Sequence, residues 1–373
     1  MKSVSKILNS NISQQLFYLL VLVLFLRIDL VFENNTPTGG DMGAHIVAID
    51  TFIKDFMPNL QINGWSNDWF GGYPLYYFYF PLPAIITYFL NIVFSFGIAF
   101  KIMVVMSTIL VVYSIEKLMR KTSNQISIYG ATAGLFYVFT ESFTIYGGNL
   151  ASTLAGQFSF AYSLAFANLS IFYLIKSKNS FRFSISSIFF AFCLLSHLIP
   201  FIIYSPIYAF YWLSKKQNLN QRILSIFIFL ALVSRWSVSL LMNLEYTTNM
   251  SYTPFSRLDD LIKKDILPII FILIGLLIAK HKNLIKNKTL NLFDFYIVSS
   301  SILLYFYVPE GALWNGRLVP FFNLGIIFLF FKAVEIFIDD INLYQQGVNV
   351  LTGLFLGGTC LLYTSPSPRD PVS

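Results

Sequence analysis

Charged residues are scarce in this chain. Asp, Glu, Lys and Arg make up 12% of its 373 residues, whereas soluble domains carry about 25%. This deficit excludes an ordinary soluble domain, and 56% of the residues are hydrophobic. Because backbone inside a bilayer must satisfy its own hydrogen bonds, spanning segments are helices or closed barrels. The apolar runs are continuous rather than alternating, so the sequence predicts an all-α, polytopic membrane helix bundle.

Cysteine is also rare, and it forms no pattern. Cys193 and Cys360 lie in separate apolar runs, which gives neither a disulfide framework nor a metal motif. The chain is basic, with a net charge of +7. Lysines and arginines at cytoplasmic helix ends explain that charge in a membrane protein, so nucleic acid is not predicted as a partner. Membrane lipids are predicted as partners instead.

The basic residues also predict the topology. Two lysines precede the first apolar run, Leu16–Phe32, and place the N-terminus in the cytoplasm. The next apolar segment, Pro83–Phe96, is about 14 residues long, short of the roughly 20 that cross a bilayer. We expect it to lie at the interface, because the basic cluster after Ile98–Leu118 then falls in the cytoplasm. Later basic clusters, the last at Lys332, agree, giving about 10–11 spans in a plasma or inner membrane.

Two boundaries follow from this topology. A transmembrane domain covers residues 1–359, and within it residues 33–97 form a large first external loop with an interfacial segment. The stretch 360–373 resembles translated sequencing-adapter read-through. We therefore exclude it from the fold and expect the natural C-terminus to be missing.

The unusual polar residues fall on one predicted face. Lys and Arg alone define the topology, yet it places the polar motifs together on the external side. This coincidence predicts one external active site. Its members are Asp41, His45, Asp68, Asn149, Gln157, His197, Trp314 and Arg317.

Asp41 is the leading candidate for chemistry. It follows Gly39 and Gly40, which let the backbone turn tightly beside a ligand. Its carboxylate suits a general base acting on a hydroxyl, or a ligand of a divalent cation such as Mg²⁺ or Mn²⁺. The alternative is an N-cap of the helix that follows. His45 shares the face of Asp41 if that helix begins there, but one Asp and one His do not define a metal site.

The loop also carries a dense group of aromatic residues between Trp65 and Tyr79. Interfacial aromatic belts explain most of them, while sugar-binding platforms use the same residue types. Trp69 and Tyr73 are therefore candidate ligand contacts, and Asp68 lies among them.

Later motifs leave further alternatives open. The segment 147–157 is rich in small residues, which allow close helix packing, with Asn149 and Gln157 as candidate ligand contacts. His197 is either a packing histidine or a functional one. Arg317, beside Trp314 at an external helix end, calls for an acidic partner, which is a bound phosphate or a carboxylate such as Glu310.

Five motifs follow one another along the chain: Pro37–His45, Asp68–Pro74, Gly147–Gly156, Ser196–Pro200 and Trp314–Phe321. In this order they resemble the prokaryotic membrane proteins labelled "6-pyruvoyl-tetrahydropterin synthase-related", which are similar to GT-C glycosyltransferases. The resemblance covers most of the chain up to about Phe331. The label refers to a soluble zinc enzyme whose histidine set this sequence lacks.

The resemblance implies a GT-C-like fold with interfacial helices in the first external loop. In GT-C enzymes a carboxylate of that loop is catalytic or binds the metal, and Asp41 occupies the matching position. It implies transfer of a sugar from a polyprenyl-phosphate donor to a glycan or lipid acceptor. Arg317 and His197 would then stabilise the departing phosphate. One departure is Gln157, which stands where the family pattern has glutamate.

Two other functions remain alternatives. One is a transporter or flippase for lipid-linked glycans, and the other is a non-catalytic assembly protein. A transporter is expected to show internal repeats and polar, broken helices at the midplane. The sequence shows no repeat, and its polar residues concentrate outside the spans.

Overall fold

The computed structural model describes residues 19–68, 71–122, 127–140, 145–177, 180–248, 252–264, 266–275, 292–309 and 313–341. These residues are predominantly helical, which confirms the all-α prediction. Among them, four helices are long and apolar enough to cross a membrane, and this supports a membrane protein. The number of spans, the orientation and the GT-C-like arrangement stay predictions.

The elements follow the apolar runs of the sequence closely. In chain order they are α1 (19–25), α2 (Ile28–Val31), α3 (Met42–Thr51), β1 (Gly64–Ser66), β2 (Tyr73–Leu75), α4 (Leu82–Asn91), α5 (Phe96–Thr122), α6 (Ser127–Val138), α7 (Leu150–Ser152), α8 (Phe158–Lys176), α9 (Ser180–Ser196), α10 (Leu198–Ser214), α11 (Leu219–Met242), α12 (Leu258–Leu261), α13 (267–275), α14 (Leu292–Tyr307) and α15 (Val319–Ile341). A π-helical turn, Thr153–Gln157, joins α7 to α8. A 3₁₀ turn, Asn315–Leu318, leads into α15.

Two features of the N-terminal part of the chain differ from the sequence prediction. The run Leu16–Phe32 is interrupted at Arg27, which adopts a left-handed backbone with φ of 47°. Its guanidinium forms an exposed ion pair with Asp29 at 2.7 Å. A short antiparallel hairpin also pairs Gly64 with Leu75 and Ser66 with Tyr73. Alternation over three residues is too short a pattern to identify such strands from the sequence.

Helix α8 forms the centre of the bundle. All of its residues except Tyr173, Ile175 and Lys176 are buried, as expected for a helix that is apolar on every side. Small residues such as Ala161 and Ser163 allow α5 and α9 to approach it closely. The Ser163 hydroxyl lies 2.9 Å from the His197 carbonyl oxygen. Helix α8 therefore positions the junction that carries His197.

Side chains of α5 and α11 fix the first loop to the bundle at several points. At its start, Lys101 of α5 donates to the Leu30 and Glu33 carbonyl oxygens, each at 2.7 Å. Farther along, Arg235 of α11 donates to the Leu60 carbonyl oxygen at 2.7 Å. The neighbouring Trp236 indole donates to the Tyr79 carbonyl oxygen at 2.8 Å. A long polar loop is thereby held in one place.

A buried ion pair joins α14 to α15. The Lys332 ammonium contacts both carboxylate oxygens of Asp294 at 2.7 and 2.6 Å, and neither side chain is exposed. The sequence predicts Lys332 at a cytoplasmic helix end. A lysine paired with a carboxylate inside the bundle does not indicate the orientation of its helix, so Lys332 gives no support to the predicted topology.

Removing one partner of this pair should cost stability. We expect D294N to lower the free energy of unfolding by about 3–5 kcal/mol, because it removes the carboxylate charge that the buried Lys332 ammonium contacts. D259N removes a carboxylate from the exposed pair with Arg257 and should cost less than about 1 kcal/mol. Thermal unfolding in detergent compares the two variants. Equal melting temperatures for D294N and D259N would contradict the buried pair.

Candidate active site

A cavity of about 730 Å³ lies at the ends of several helices. Seven of the ten residues singled out from the sequence line it: Asp41, His45, Tyr73, Gln157, His197, Trp314 and Arg317. They come from the start of α3, the hairpin, the π-helical turn, the α9–α10 junction and the 3₁₀ turn before α15. Segments far apart in the sequence therefore converge on one cavity.

The Asp41 carboxylate is not used as a helix cap. Asp41 occupies the N-cap position of α3, as the capping alternative predicted, but its side chain makes no capping hydrogen bond. Its Oδ2 atom instead accepts a hydrogen bond from the Gln157 side chain at 3.3 Å. Asp41 is exposed to the cavity. The carboxylate is thus available to a ligand.

Glycines allow the Asp41 segment to contact the π-helical turn directly. The Asp41 amide donates to the Ala155 carbonyl oxygen at 3.0 Å, and a Cβ atom on Gly40 would overlap that same oxygen. Gly156 has a φ of 104°, and a Cβ atom there would lie 2.8 Å from the Cβ atom of Asp41. Both positions require glycine. Two motifs separated by more than a hundred residues thus form one local structure.

Arg317 contacts Gln157, the last residue of the π-helical turn, and so joins the same local structure. Its Nη1 atom donates to the Gln157 side-chain oxygen at 2.7 Å and to the Tyr146 carbonyl oxygen at 3.3 Å. In the part of the chain that the structure describes, no carboxylate lies within ion-pair distance of this guanidinium. Glu310, the other partner considered from the sequence, lies outside the described residues. Arg317 therefore provides positive charge to the cavity.

His197 combines a structural role with a place on the cavity wall. Its Nδ1 atom accepts a hydrogen bond from the Ile199 amide at 3.2 Å and caps α10. The ring stacks on Phe80 at 4.8 Å between centroids. Burial, assisted by the charge of Arg317, lowers the pKa of His197 to about 3. With Nδ1 as acceptor, the proton of the neutral ring resides on Nε2.

His45 is held between aromatic rings. Its ring lies 4.8 Å from Phe158 and 5.5 Å from Tyr79, measured between centroids. Burial lowers the pKa of His45, while the Asp41 carboxylate acts in the opposite direction. Burial likewise raises the pKa of Tyr79 to about 12. The cavity wall therefore offers neutral hydrogen-bonding groups near Asp41 at neutral pH.

An aromatic group forms the side of the cavity beside Arg317. Trp314 stacks on Tyr252 at 5.0 Å between centroids and lies 5.4 Å from Phe255. Asn315 fixes this segment, since its amide accepts from the Phe255 N–H at 2.9 Å and donates to the Phe255 carbonyl oxygen at 2.7 Å. Tyr79 and Tyr252 line the cavity but were not singled out from the sequence. Tyr79 belongs to the aromatic group noted there, whereas Tyr252 carried no signal.

Two of the expected site residues, Asp68 and Asn149, do not line the cavity. Asp68 accepts hydrogen bonds from Thr51 at 2.6 Å and Ser66 at 2.9 Å, which lower its pKa, and it fastens the hairpin to α3. Asn149 is fully buried and caps α7 through the Ser152 amide at 2.9 Å. Both make structural contacts instead of lining the cavity. Trp69 lies outside the described residues.

The comparisons with known proteins leave the site to be interpreted on its own geometry. No protein-family model matches the chain, and no curated protein sequence matches it. The described residues contain no group of three or more His, Cys, Asp or Glu side chains able to hold a metal ion. Metal binding by Asp41 stays a prediction.

The partly buried His197 should make the protein sensitive to acid. The pKa of His197 is about 3 when folded, against 6.5 for the ordinary side chain. The unfolded chain thus binds more protons, and stability falls as the pH drops below about 6.5. Between pH 8 and pH 5 the loss attributable to this residue is about 2 kcal/mol.

H197N isolates this contribution. Asparagine is a good N-cap and does not titrate, so H197N should keep the cap and lose less stability on acidification than the parent protein. Melting temperatures at pH 8 and pH 5 measure the difference. If both proteins lose the same stability, His197 is not buried in its neutral form.

Proposed function

We propose that the protein is a membrane glycosyltransferase, which moves a sugar from a polyprenyl-phosphate donor to a glycan or lipid acceptor on the external face of the membrane. One observation carries this proposal. The cavity holds both Asp41, whose carboxylate does not cap a helix, and Arg317, which has no carboxylate partner among the described residues. A single amide side chain, Gln157, links them. A base and an anion-binding group thus share one cavity.

Asp41 suits the role of general base. It would take the proton from the acceptor hydroxyl as the acceptor oxygen forms its bond to the anomeric carbon of the sugar. The bond between that carbon and the phosphate oxygen breaks in the same step. The electron pair leaves with the polyprenyl phosphate, and atoms and charges balance without another reactant.

Arg317 suits the departing phosphate. A guanidinium binds phosphate oxygens through charge-assisted, often bidentate hydrogen bonds. Its setting among aromatic and half-buried side chains strengthens that attraction compared with water. His197 lines the same cavity as a neutral ring with Nε2–H available as a second donor.

The size and walls of the cavity agree with a sugar ligand. Small-molecule sites usually enclose about 300–1,000 Å³, and this cavity has about 730 Å³. Trp314, Tyr252 and Tyr79 present aromatic surface to it. Aromatic rings bury apolar sugar faces, while the polar groups around Asp41 satisfy hydroxyls.

The same proposal covers location and lipid partners. The four apolar helices support a membrane location, and the donor would enter the cavity from the bilayer. A transporter or an assembly protein remains the alternative. Neither of these two functions requires a carboxylate and an arginine in the same cavity.

Replacing the base tests this proposal. We expect D41N to lower turnover at least about 100-fold, since a general base contributes about 10²–10⁴. Folding should be preserved, because Asp41 does not cap α3. The assay follows release of polyprenyl phosphate from a panel of polyprenyl-phosphate monosaccharides by protein in vesicles, with melting temperature as the folding readout.

D55N is the matched control, because Asp55 is an exposed aspartate of the same loop. It should leave turnover unchanged. If D41N releases as much polyprenyl phosphate as D55N, Asp41 is not the base. If the parent protein moves the lipid-linked sugars across the vesicle membrane without cleaving them, the flippase alternative replaces this proposal.

A further inference from the structure

Gln157 occupies the position between the two charged groups of the cavity. Its Nε2 atom donates to the Asp41 carboxylate at 3.3 Å, and its Oε1 atom accepts from Arg317 at 2.7 Å. The opposite orientation of the amide would direct its N–H groups at a cation and its oxygen at a carboxylate. The two neighbours therefore define the orientation of the side chain.

The Gln157 amide is uncharged, so it neutralises neither the Asp41 carboxylate nor the Arg317 guanidinium. One edge of the Arg317 guanidinium is occupied, since Nη1 contacts Gln157 and the Tyr146 carbonyl oxygen. The Nε and Nη2 atoms make no hydrogen bond to any residue that the structure describes. They form the edge that binds a phosphate or carboxylate in a bidentate manner.

A carboxylate at position 157 would change this balance. It would form an ion pair with Arg317 and satisfy part of its positive charge before any ligand arrived. It would also place a second negative charge next to Asp41, which favours protonation of one of the two carboxyls. A neutral side chain of the same length avoids both effects.

We infer that Gln157, as a neutral side chain between Asp41 and Arg317, keeps Arg317 free of a protein counter-charge, so that the arginine binds the phosphate of the ligand. This inference rests on the proposed function, because it assumes an anionic ligand at Arg317. It adds that the electrical neutrality of residue 157 determines how tightly that ligand binds.

The test compares two substitutions of similar shape. Q157E introduces a charge, whereas Q157M is similar in length and neutral. Farnesyl phosphate serves as the anionic probe and farnesol as its neutral counterpart, with dissociation constants measured by calorimetry on the full chain in nanodiscs. R317Q shows whether the arginine binds the phosphate at all.

We expect Q157M to bind farnesyl phosphate within a few-fold of the parent protein. Q157E should bind it at least about tenfold more weakly than Q157M, since a charge-assisted hydrogen bond to the ligand is weakened. Farnesol should bind both variants equally. A structural disturbance would instead weaken both ligands in Q157E, and that result would overturn the inference.

The remaining outcomes separate the two proposals. If R317Q loses farnesyl phosphate while Q157E and Q157M bind it equally, the inference fails and the proposed anion site stands. If R317Q binds as the parent does, or the parent does not bind the probe, the anion site fails and the inference fails with it. Should Q157E not fold, D41N/Q157E and D41N/Q157M give the same comparison without repulsion from Asp41.

Discussion

The contact between the start of α3 and the π-helical turn before α8 determines the geometry of the cavity. One backbone hydrogen bond, from Asp41 to Ala155, and two glycines with no room for a side chain bring these segments together. Gln157 follows immediately and reaches both Asp41 and Arg317. Gly156, with a φ of 104°, interrupts the helical backbone inside this turn. This interruption presents Gln157 to the cavity.

Helix α8 and the anchored first loop hold the α3 start and the π-helical turn in contact. Helix α8 is buried along almost its whole length, so the π-helical turn at its beginning has a fixed position. The first loop is held by Lys101 at its start and by Arg235 and Trp236 of α11 farther on. These side chains donate to backbone carbonyl oxygens, which a polar loop would otherwise have to satisfy with water. Preorganisation of this kind is what electrostatic stabilisation of a transition state requires.

The sequence was informative about helices and about which segments converge. Continuous apolar runs predicted the helices, and the distribution of Lys and Arg predicted that Asp41, Gln157, His197 and Arg317 lie together. The structure places these four residues around one cavity. Periodicity could not separate Asp68 and Asn149 from the site, because a polar residue that fastens a turn resembles one that binds a ligand. Hydrogen-bond partners distant in sequence make that distinction.

Other features depended on tertiary contacts that no local pattern encodes. The break at Arg27, the short hairpin and the contribution of Tyr252 belong to this group. Lys332 shows the same limit for charge, since the sequence predicts it at a cytoplasmic helix end and its ammonium is paired with Asp294 inside the bundle.

A cryo-electron microscopy structure of the protein in nanodiscs with a bound polyprenyl-phosphate sugar tests the shared cavity most directly. We expect the phosphate within about 3 Å of the Arg317 guanidinium, a usual hydrogen-bond distance. We expect the sugar between that phosphate and Asp41. A ligand bound elsewhere, or Asp41 and Arg317 in separate cavities, would contradict this expectation.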